Sequence, residues 1–137
     1  GSHAIDFSRF LAGDITSVLG VQQQFVTERD KLDGSGKGVV DVDDATAFMV
    51  RFASGATGYV ESSWSAPGKK TRAGFDVIGS TGSIEFNWEH MGELIGAISG
   101  ENERPQTTFR EGLKSTLVEE AVMESVHSSV WTEVGQS

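Results

Sequence analysis

Alternating apolar and polar positions through the middle of the chain predict β-strands. Over residues 44–52, one face of the first predicted strand carries Thr46, Phe48, Val50 and Phe52. A second strand is predicted over residues 57–64, after a Ser54-Gly55 turn, and two more over 73–78 and 84–88. Because the connections are short, we expect sequential strands to be antiparallel neighbours in a meander of at least four strands.

Both ends of the chain carry apolar positions at helical spacing. A short helix is predicted over residues 3–11, with Ala4, Phe7 and Leu11 on its apolar face and Gly13 after its end. A capping-box pattern at Thr108 begins a longer helix, whose apolar stripe holds Phe109, Leu113, Leu117, Ala121, Val122 and Val126. Residues 15–27 are predicted to be extended, residues 28–38 to form a charged, mobile loop, and residues 131–134 to add a short strand.

These elements predict an α+β fold, with a largely antiparallel, open-faced sheet and helices packed on one face. Such helices cover only one side of a sheet, so the other side either exposes apolar residues or meets a partner. We favour a second copy of the chain, giving a homo-oligomer (a dimer) through the open sheet face. We expect residues 1–137 to form a single domain.

Composition narrows the classes of function. With 20 acidic and 11 basic residues, the net charge is −9, which argues against nucleic acid and against anionic membrane surfaces as partners. The chain has no cysteine, so a disulfide framework and a thiolate metal site are both excluded. Its apolar runs are too short to span a bilayer, and no signal peptide is visible, so we expect a cytoplasmic location.

Most candidate motifs have plainer explanations. Gly34-Ser35-Gly36-Lys37-Gly38 is similar to a phosphate-binding loop, but the aspartates around it would repel phosphate, so a solvated loop is favoured. Adjacent strand residues such as Asp43 and Asp44 point to opposite faces and do not readily share a cation, so solvation at the strand entry is favoured. His90 and His127 lack a nucleophile or ligand at useful spacing and are predicted to be structural or surface residues.

His3 is the one candidate for acid–base chemistry. It begins the first predicted helix, and Asp6 lies three residues later on the same face. Imidazole changes charge near neutral pH, which suits a general acid or base. Two plainer interpretations remain: Gly1-Ser2-His3 is the remnant of a cleaved purification tag, or His3 is a simple polar helix start.

Several short segments follow one another in a characteristic order: Gly1-Ser2-His3-Ala4-Ile5-Asp6, Val42-Asp43-Asp44-Ala45, Phe52-Ala53-Ser54-Gly55, Phe75-Asp76-Val77-Ile78-Gly79 and Phe109-Arg110-Glu111-Gly112-Leu113. In this order they resemble the carboxy-terminal domain of the glucose–fructose oxidoreductase, inositol dehydrogenase and rhizopine-catabolism (Gfo/Idh/MocA) family. The resemblance covers nearly the whole chain. Phe86-Asn87-Trp88-Glu89 is particularly similar to the inositol-type branch.

The resemblance implies a parent enzyme in which a Rossmann domain, absent from this chain, binds NAD or NADP. That NAD(P)-dependent dehydrogenase would move a hydride between the nicotinamide and a hydroxyl-bearing carbon of a sugar or cyclic polyol. His3 takes the family's general acid/base position, and this continuity favours a native His3. The chain alone is expected to bind no cofactor and to be inactive.

Two further expectations accompany the resemblance. Lys70 and Arg72 follow the Pro67-Gly68 turn and are candidate substrate contacts, although basic residues after a turn are usually just solvated. The family usually has a longer stretch around residues 92–98, so a segment is expected to be missing there. The alternative to a dehydrogenase domain is a non-catalytic module for self-association or protein binding.

Overall fold

The computed structural model describes residues 1–68, 72–90, 94–96 and 109–135. Its elements, in chain order, are α1 (Ser2–Ala12), β1 (Ile15–Gln23), β2 (Glu28–Asp30), β3 (Lys37–Val39), β4 (Ala45–Phe52), β5 (Thr57–Ser63), β6 (Gly74–Gly79), β7 (Gly82–Asn87), a 3₁₀ turn (Trp88–His90), β8 (Leu94–Gly96), α2 (Phe109–Ser128) and β9 (Thr132–Glu133). The predicted α+β class is confirmed.

The chain divides into two compact units. The larger contains Gly1–Ser65 and Gln106–Ser137, and the smaller contains Ala66–Pro105. In the larger unit, an antiparallel sheet has the strand order β5-β4-β1-β9. In the smaller unit the order is β6-β7-β8, also antiparallel. The single domain over residues 1–137 stays a prediction, and most of residues 92–98 lie outside the described residues.

The predicted four-strand meander is wrong in its connectivity. The pairs β4–β5 and β6–β7 form as expected, but β5 and β6 belong to different sheets. Strand β1 instead lies between β4 and β9, pairing Val18 with Val50 on one side and with Thr132 on the other. Local alternation identified the strands correctly, whereas the β1–β9 pairing joins segments more than a hundred residues apart.

The predicted loop over residues 28–38 is a β-hairpin. Strands β2 and β3 pair Glu28 with Val39 and Asp30 with Lys37. The turn between them is closed by hydrogen bonds from Lys31 N to Gly36 O (2.8 Å) and from Gly34 N to Lys31 O (3.1 Å). Both glycines have positive φ, at 71° and 113°, which glycine adopts without steric cost. The hairpin was missed because backbone pairing, rather than apolar alternation, defines it.

The helices cover one face of the larger sheet. Its core contains Ile5, Ile15, Val18, Phe48, Val50, Phe52, Val60, Val118, Ala121 and Val122. The predicted face of α1 needs correction, whereas that of α2 is confirmed in its second half. In α1 the buried positions are Ile5 and Arg9, whereas Phe10 is 59% exposed and Phe7 is also exposed. In α2, Ala121 and Val122 are in the core and Val126 packs against it, as predicted. Leu113 is exposed, and Phe109 lies outside the residues whose side chains are described.

Small residues let α2 lie close to β1. Gly20 on β1 lies so close to α2 that an added Cβ would be 3.1 Å from Val126 and 3.2 Å from Val122. Ser125, which is fully buried, faces this strand and accepts a hydrogen bond from the Gly20 N–H at 3.0 Å. Its hydroxyl also donates to the Val130 carbonyl at 2.6 Å. Close approach of helix and strand therefore decides which residues of α2 are buried.

Replacing Ser125 with alanine is expected to destabilise the larger unit by about 1–3 kcal/mol, because the buried Gly20 N–H then has no acceptor. Urea unfolding monitored by circular dichroism measures this change. Ser128→Ala on the same helix is the control, since its hydroxyl donates to the Glu124 carbonyl one turn earlier in the same helix. Equal stability of the two variants would contradict the expectation.

Candidate functional site

His3 lies in the first turn of α1, and its side chain is exposed. Gly1 is the N-cap residue, and its carbonyl accepts hydrogen bonds from the N–H groups of Ala4 (3.0 Å) and Ile5 (3.3 Å). Since glycine has no side chain, the start of the helix is not capped by one. The His3 imidazole is therefore an exposed group in the first turn of the helix.

Asp6, predicted to share the helix face of His3, is hydrogen-bonded to α2. The Ser115 hydroxyl donates a short hydrogen bond to Asp6 Oδ1. The same hydroxyl oxygen accepts from Arg9 Nη1 at 3.1 Å. One buried serine of α2 thus contacts two residues of α1 that are adjacent on the helix surface.

Arg9 is only 8% exposed despite its charge. Its Nη2 donates to Asp14 Oδ1 at 3.1 Å, and Lys114 Nζ donates to Asp14 Oδ2 at 3.0 Å. These hydrogen bonds lower the pKa of the Asp14 carboxyl, and the one from Lys114 has the larger effect. With Asp6, the network contains two cations and two carboxylates, a balance that offsets part of the cost of burying Arg9.

A cleft of about 960 Å³ opens in the larger unit. Segments distant in sequence contribute to its wall, including the start of α1, the end of β1, the entry to β4, the end of β5 and the middle of α2. Its lining includes Gln22, Asp43, Thr46, Phe48, Trp64 and Glu119. Carboxylates, a hydroxyl and an amide therefore share this lining with aromatic side chains, of which Trp64 is 92% exposed and so stands largely in solvent. This combination suits a ligand that has both hydroxyl groups and an apolar face.

His3 is not among the residues that line this cleft, although Gly1 and Ile5 are. Two residues correspond to about 200° around an α-helix, so the His3 side chain leaves α1 roughly opposite Ile5. The first turn of α1 therefore has the cleft on one side and the imidazole on the other.

Asp44 organises the cleft wall, a role that the sequence did not indicate. It is buried, and its Oδ2 accepts hydrogen bonds from the N–H groups of Phe25 (2.7 Å) and Val26 (2.8 Å). These bonds lower the pKa of the Asp44 carboxyl. Its carbonyl accepts from the Trp64 N–H at 2.8 Å. The interpretation of Asp44 as a solvated residue at the strand entry was wrong. Its carboxylate instead accepts from backbone N–H groups of the segment between β1 and β2.

The other residues considered in the sequence do not join this site in the described residues. Lys70 lies outside the described residues. Arg72 is exposed and belongs to the smaller unit, so its grouping with His3 stays a prediction. His127 is exposed near the end of α2, and its Nδ1 lies 2.7 Å from the Met123 carbonyl oxygen. The structure gives no description of the His90 side chain.

Within the residues that the structure describes, no group of three or more His, Cys, Asp or Glu side chains is arranged to hold a metal ion. No helix in the same ranges is long and apolar enough to cross a bilayer.

The glycine-rich segment over residues 34–38 does not fit a dinucleotide. It connects two antiparallel strands of the β2–β3 hairpin. A dinucleotide cradle instead leads from a strand into a helix whose N-terminus holds the pyrophosphate. We therefore assign no nucleotide contact to this segment.

Comparison with known proteins identifies the class. The model of the GFO/IDH/MocA C-terminal domain matches residues 1–85. The chain belongs to the GFO/IDH/MocA family.

Levoglucosan dehydrogenase from Pseudarthrobacter phenanthrenivorans is 37% identical over 105 residues, which cover 68% of this chain and 27% of that protein. Among solved structures, levoglucosan dehydrogenase in complex with NADH has a TM-score of 0.88 at 27% identity, over 99% of this chain and 49% of that one. An oxidoreductase domain protein from Kribbella flavida has a TM-score of 0.89 at 25% identity, over 99% and 50% respectively.

The chain thus spans about a quarter of the length of the curated relative and about half that of the solved relatives. The particular similarity to the inositol-type branch stays a prediction.

Proposed function

We propose that this chain is the substrate-binding and oligomerisation domain of an NAD(P)-dependent dehydrogenase that acts on a sugar or cyclic polyol. The observation that carries the proposal is His3, exposed in the first turn of α1, the turn whose Gly1 and Ile5 line the cleft. In the family resemblance this histidine takes the acid/base position. The nicotinamide, held by another part of the parent enzyme, accepts the hydride when bound.

His3 would handle the proton of the reacting hydroxyl. Oxidation of an alcohol carbon releases a proton from its oxygen, and a neutral imidazole within hydrogen-bond reach accepts it. In the reverse direction the imidazolium returns the proton. Both directions need a histidine accessible to the substrate, and the His3 side chain is exposed.

The cleft would hold the sugar ring at its Gly1 end, because His3 does not itself line the cleft and would have to reach the reacting hydroxyl past Gly1. A pyranose has an apolar face of C–H groups that packs on an aromatic ring, while its hydroxyls need donors and acceptors. Trp64 offers the aromatic surface, and Asp43, Thr46 and Glu119 offer polar partners. A relative solved with NADH and levoglucosan makes that anhydrosugar the first probe to use.

Replacing Trp64 with alanine in the complete dehydrogenase is expected to raise KM for levoglucosan about tenfold, because an aromatic packing partner is lost. Initial-rate kinetics at saturating cofactor measures the change. Trp64→Phe, which keeps an aromatic face, should stay within about threefold of the parent enzyme. An unchanged KM in Trp64→Ala would argue against a sugar site in this cleft.

A second role, self-association through the open sheet face, has its own support. Tyr59 is 78% exposed, and Val21 and Met49 are also exposed. The strand register places these three side chains on the face opposite the helices. A contiguous apolar sheet face of this kind is typical of a subunit interface. Alone, the chain would then act as a non-catalytic self-association module.

The proposal also covers where the protein acts and which nicotinamide cofactor the parent enzyme uses. We expect the protein to act in the cytoplasm without nucleic-acid or membrane partners, consistent with its acidic composition. A relative solved with NADH favours NAD over NADP. Lys70 and Arg72 remain candidate substrate contacts.

A further inference from the structure

We infer that Ser115 is a positioning residue for His3, because its hydroxyl joins Asp6 and Arg9 and so fixes the rotation of α1 about its axis. This inference rests on the proposed acid/base role of His3. It adds to that role a residue of α2 that is more than a hundred positions away in sequence.

The hydroxyl of Ser115 holds α1 at two points. It donates to the Asp6 carboxylate and accepts from the Arg9 guanidinium at 3.1 Å. A third attachment lies beyond the end of α1, where Lys114 and Arg9 both donate to Asp14. A helix held only by apolar packing can rotate slightly as side chains slide, whereas directional hydrogen bonds at several levels resist that rotation.

Small rotations are sufficient to matter at His3. Side chains of an α-helix reach about 5–6 Å from its axis, so a rotation of roughly 10° displaces a side-chain tip by about 1 Å. A misplacement of this size can cost about a hundredfold in the rate of a chemical step. Asp6 is three residues from His3, so any rotation that moves the Asp6 side chain moves His3 as well.

Because Ser115 is buried, its hydroxyl is hard to replace as the link between Asp6 and Arg9. Ser115 is 4% exposed, so water does not readily replace its hydroxyl when that group is removed. Without it, the Asp6 carboxylate loses a donor and the Arg9 guanidinium loses an acceptor. Asp6 is exposed and becomes free to turn towards solvent.

The test is made in the complete dehydrogenase that contains this chain. Ser115→Ala is expected to lower kcat about tenfold while KM for levoglucosan changes less than about twofold, because substrate binding is kept and proton transfer is misaligned. Ser128→Ala, on the same helix but with its hydroxyl bonded to Glu124 of that helix, should leave both constants unchanged. An unchanged kcat in Ser115→Ala, or an equal loss in Ser128→Ala, would overturn the inference.

A double-mutant cycle adds a readout that a general loss of stability does not give. Asp6→Asn weakens the acceptor for Ser115, and adding Ser115→Ala to it should reduce kcat by less than about twofold further. Fully additive losses would count against a shared positioning role. Because Asp6 is exposed, we expect Asp6→Asn to fold. If Ser115→Ala does not fold, the kcat of Asp6→Asn tests the same hydrogen bond.

The inference and the proposed function fail in different ways. If His3→Ala retains full activity, the acid/base role is wrong and the positioning role falls with it. If His3→Ala is inactive but Ser115→Ala is not impaired, only the positioning role is wrong.

Discussion

Replacing His3 with alanine is expected to lower kcat/KM of the complete dehydrogenase by about 10²–10⁴-fold, the usual contribution of a positioned general acid or base. The loss should appear mainly in kcat, because the cleft and the cofactor site stay intact. Initial rates of nicotinamide reduction at several levoglucosan concentrations measure it. A small amine or imidazole added to the buffer should restore part of the activity by replacing the missing proton acceptor.

The matched control for this experiment is His127→Ala. His127 is also an exposed histidine in the larger unit, but it lies near the end of α2 and contacts the Met123 carbonyl. Its removal should leave kcat/KM within about twofold of the parent value. A His3→Ala enzyme with the same activity as the His127→Ala enzyme would exclude His3 as the acid/base residue.

Charged substitutions on the open sheet face are expected to dissociate the oligomer. Tyr59 on β5 is paired with Met49 on β4, and both are exposed on the side away from the helices. Tyr59→Glu would bury unpaired carboxylates in a symmetric interface, where each copy contributes one. We expect the dissociation constant to rise about a hundredfold, so that sedimentation velocity at micromolar concentration detects monomers.

Val39→Glu controls for the added charge. Val39 is an exposed apolar residue on β3, which belongs to the β2–β3 hairpin and not to the open-faced sheet. This variant should sediment like the parent chain. If the parent chain is itself monomeric at high concentration, or if Tyr59→Glu stays associated, the open face is not the interface.

The sequence predicted the strands best where their alternation is local. Phe48, Val50 and Phe52 face the core as expected, since period-two alternation on one strand is enough to define a buried face. The position of β1 between β4 and β9 could not be predicted in this way. It depends on pairing with Thr132 and Glu133, a contact that only the folded chain brings about.

The buried face of α1 was less predictable, for a physical reason. Arg9 takes a core position on α1 because Asp14 and Ser115 satisfy its guanidinium, while Phe10 remains exposed. A pattern based on hydrophobicity alone would place Phe10 in the core and Arg9 in solvent. On α2, the glycine at position 20 of β1 favours the face that carries Val122 and Ser125.

The candidate site was only partly visible in the sequence. His3 was identified by its resemblance to a family position, and its helix-start location is confirmed. Trp64 and Glu119 did not appear as site candidates, because the cleft joins segments far apart in the chain. The signal that could have indicated Trp64 is a large aromatic residue at a strand end beside the Pro67-Gly68 turn.

The most direct test is the distance from the His3 imidazole to the reacting hydroxyl in a crystal structure of the complete enzyme with nicotinamide cofactor and levoglucosan. We predict a His3 ring nitrogen within about 2.6–3.2 Å of that oxygen. A sugar bound elsewhere, or a reacting hydroxyl bonded to a different acid/base residue while His3 faces solvent, would contradict the proposed function.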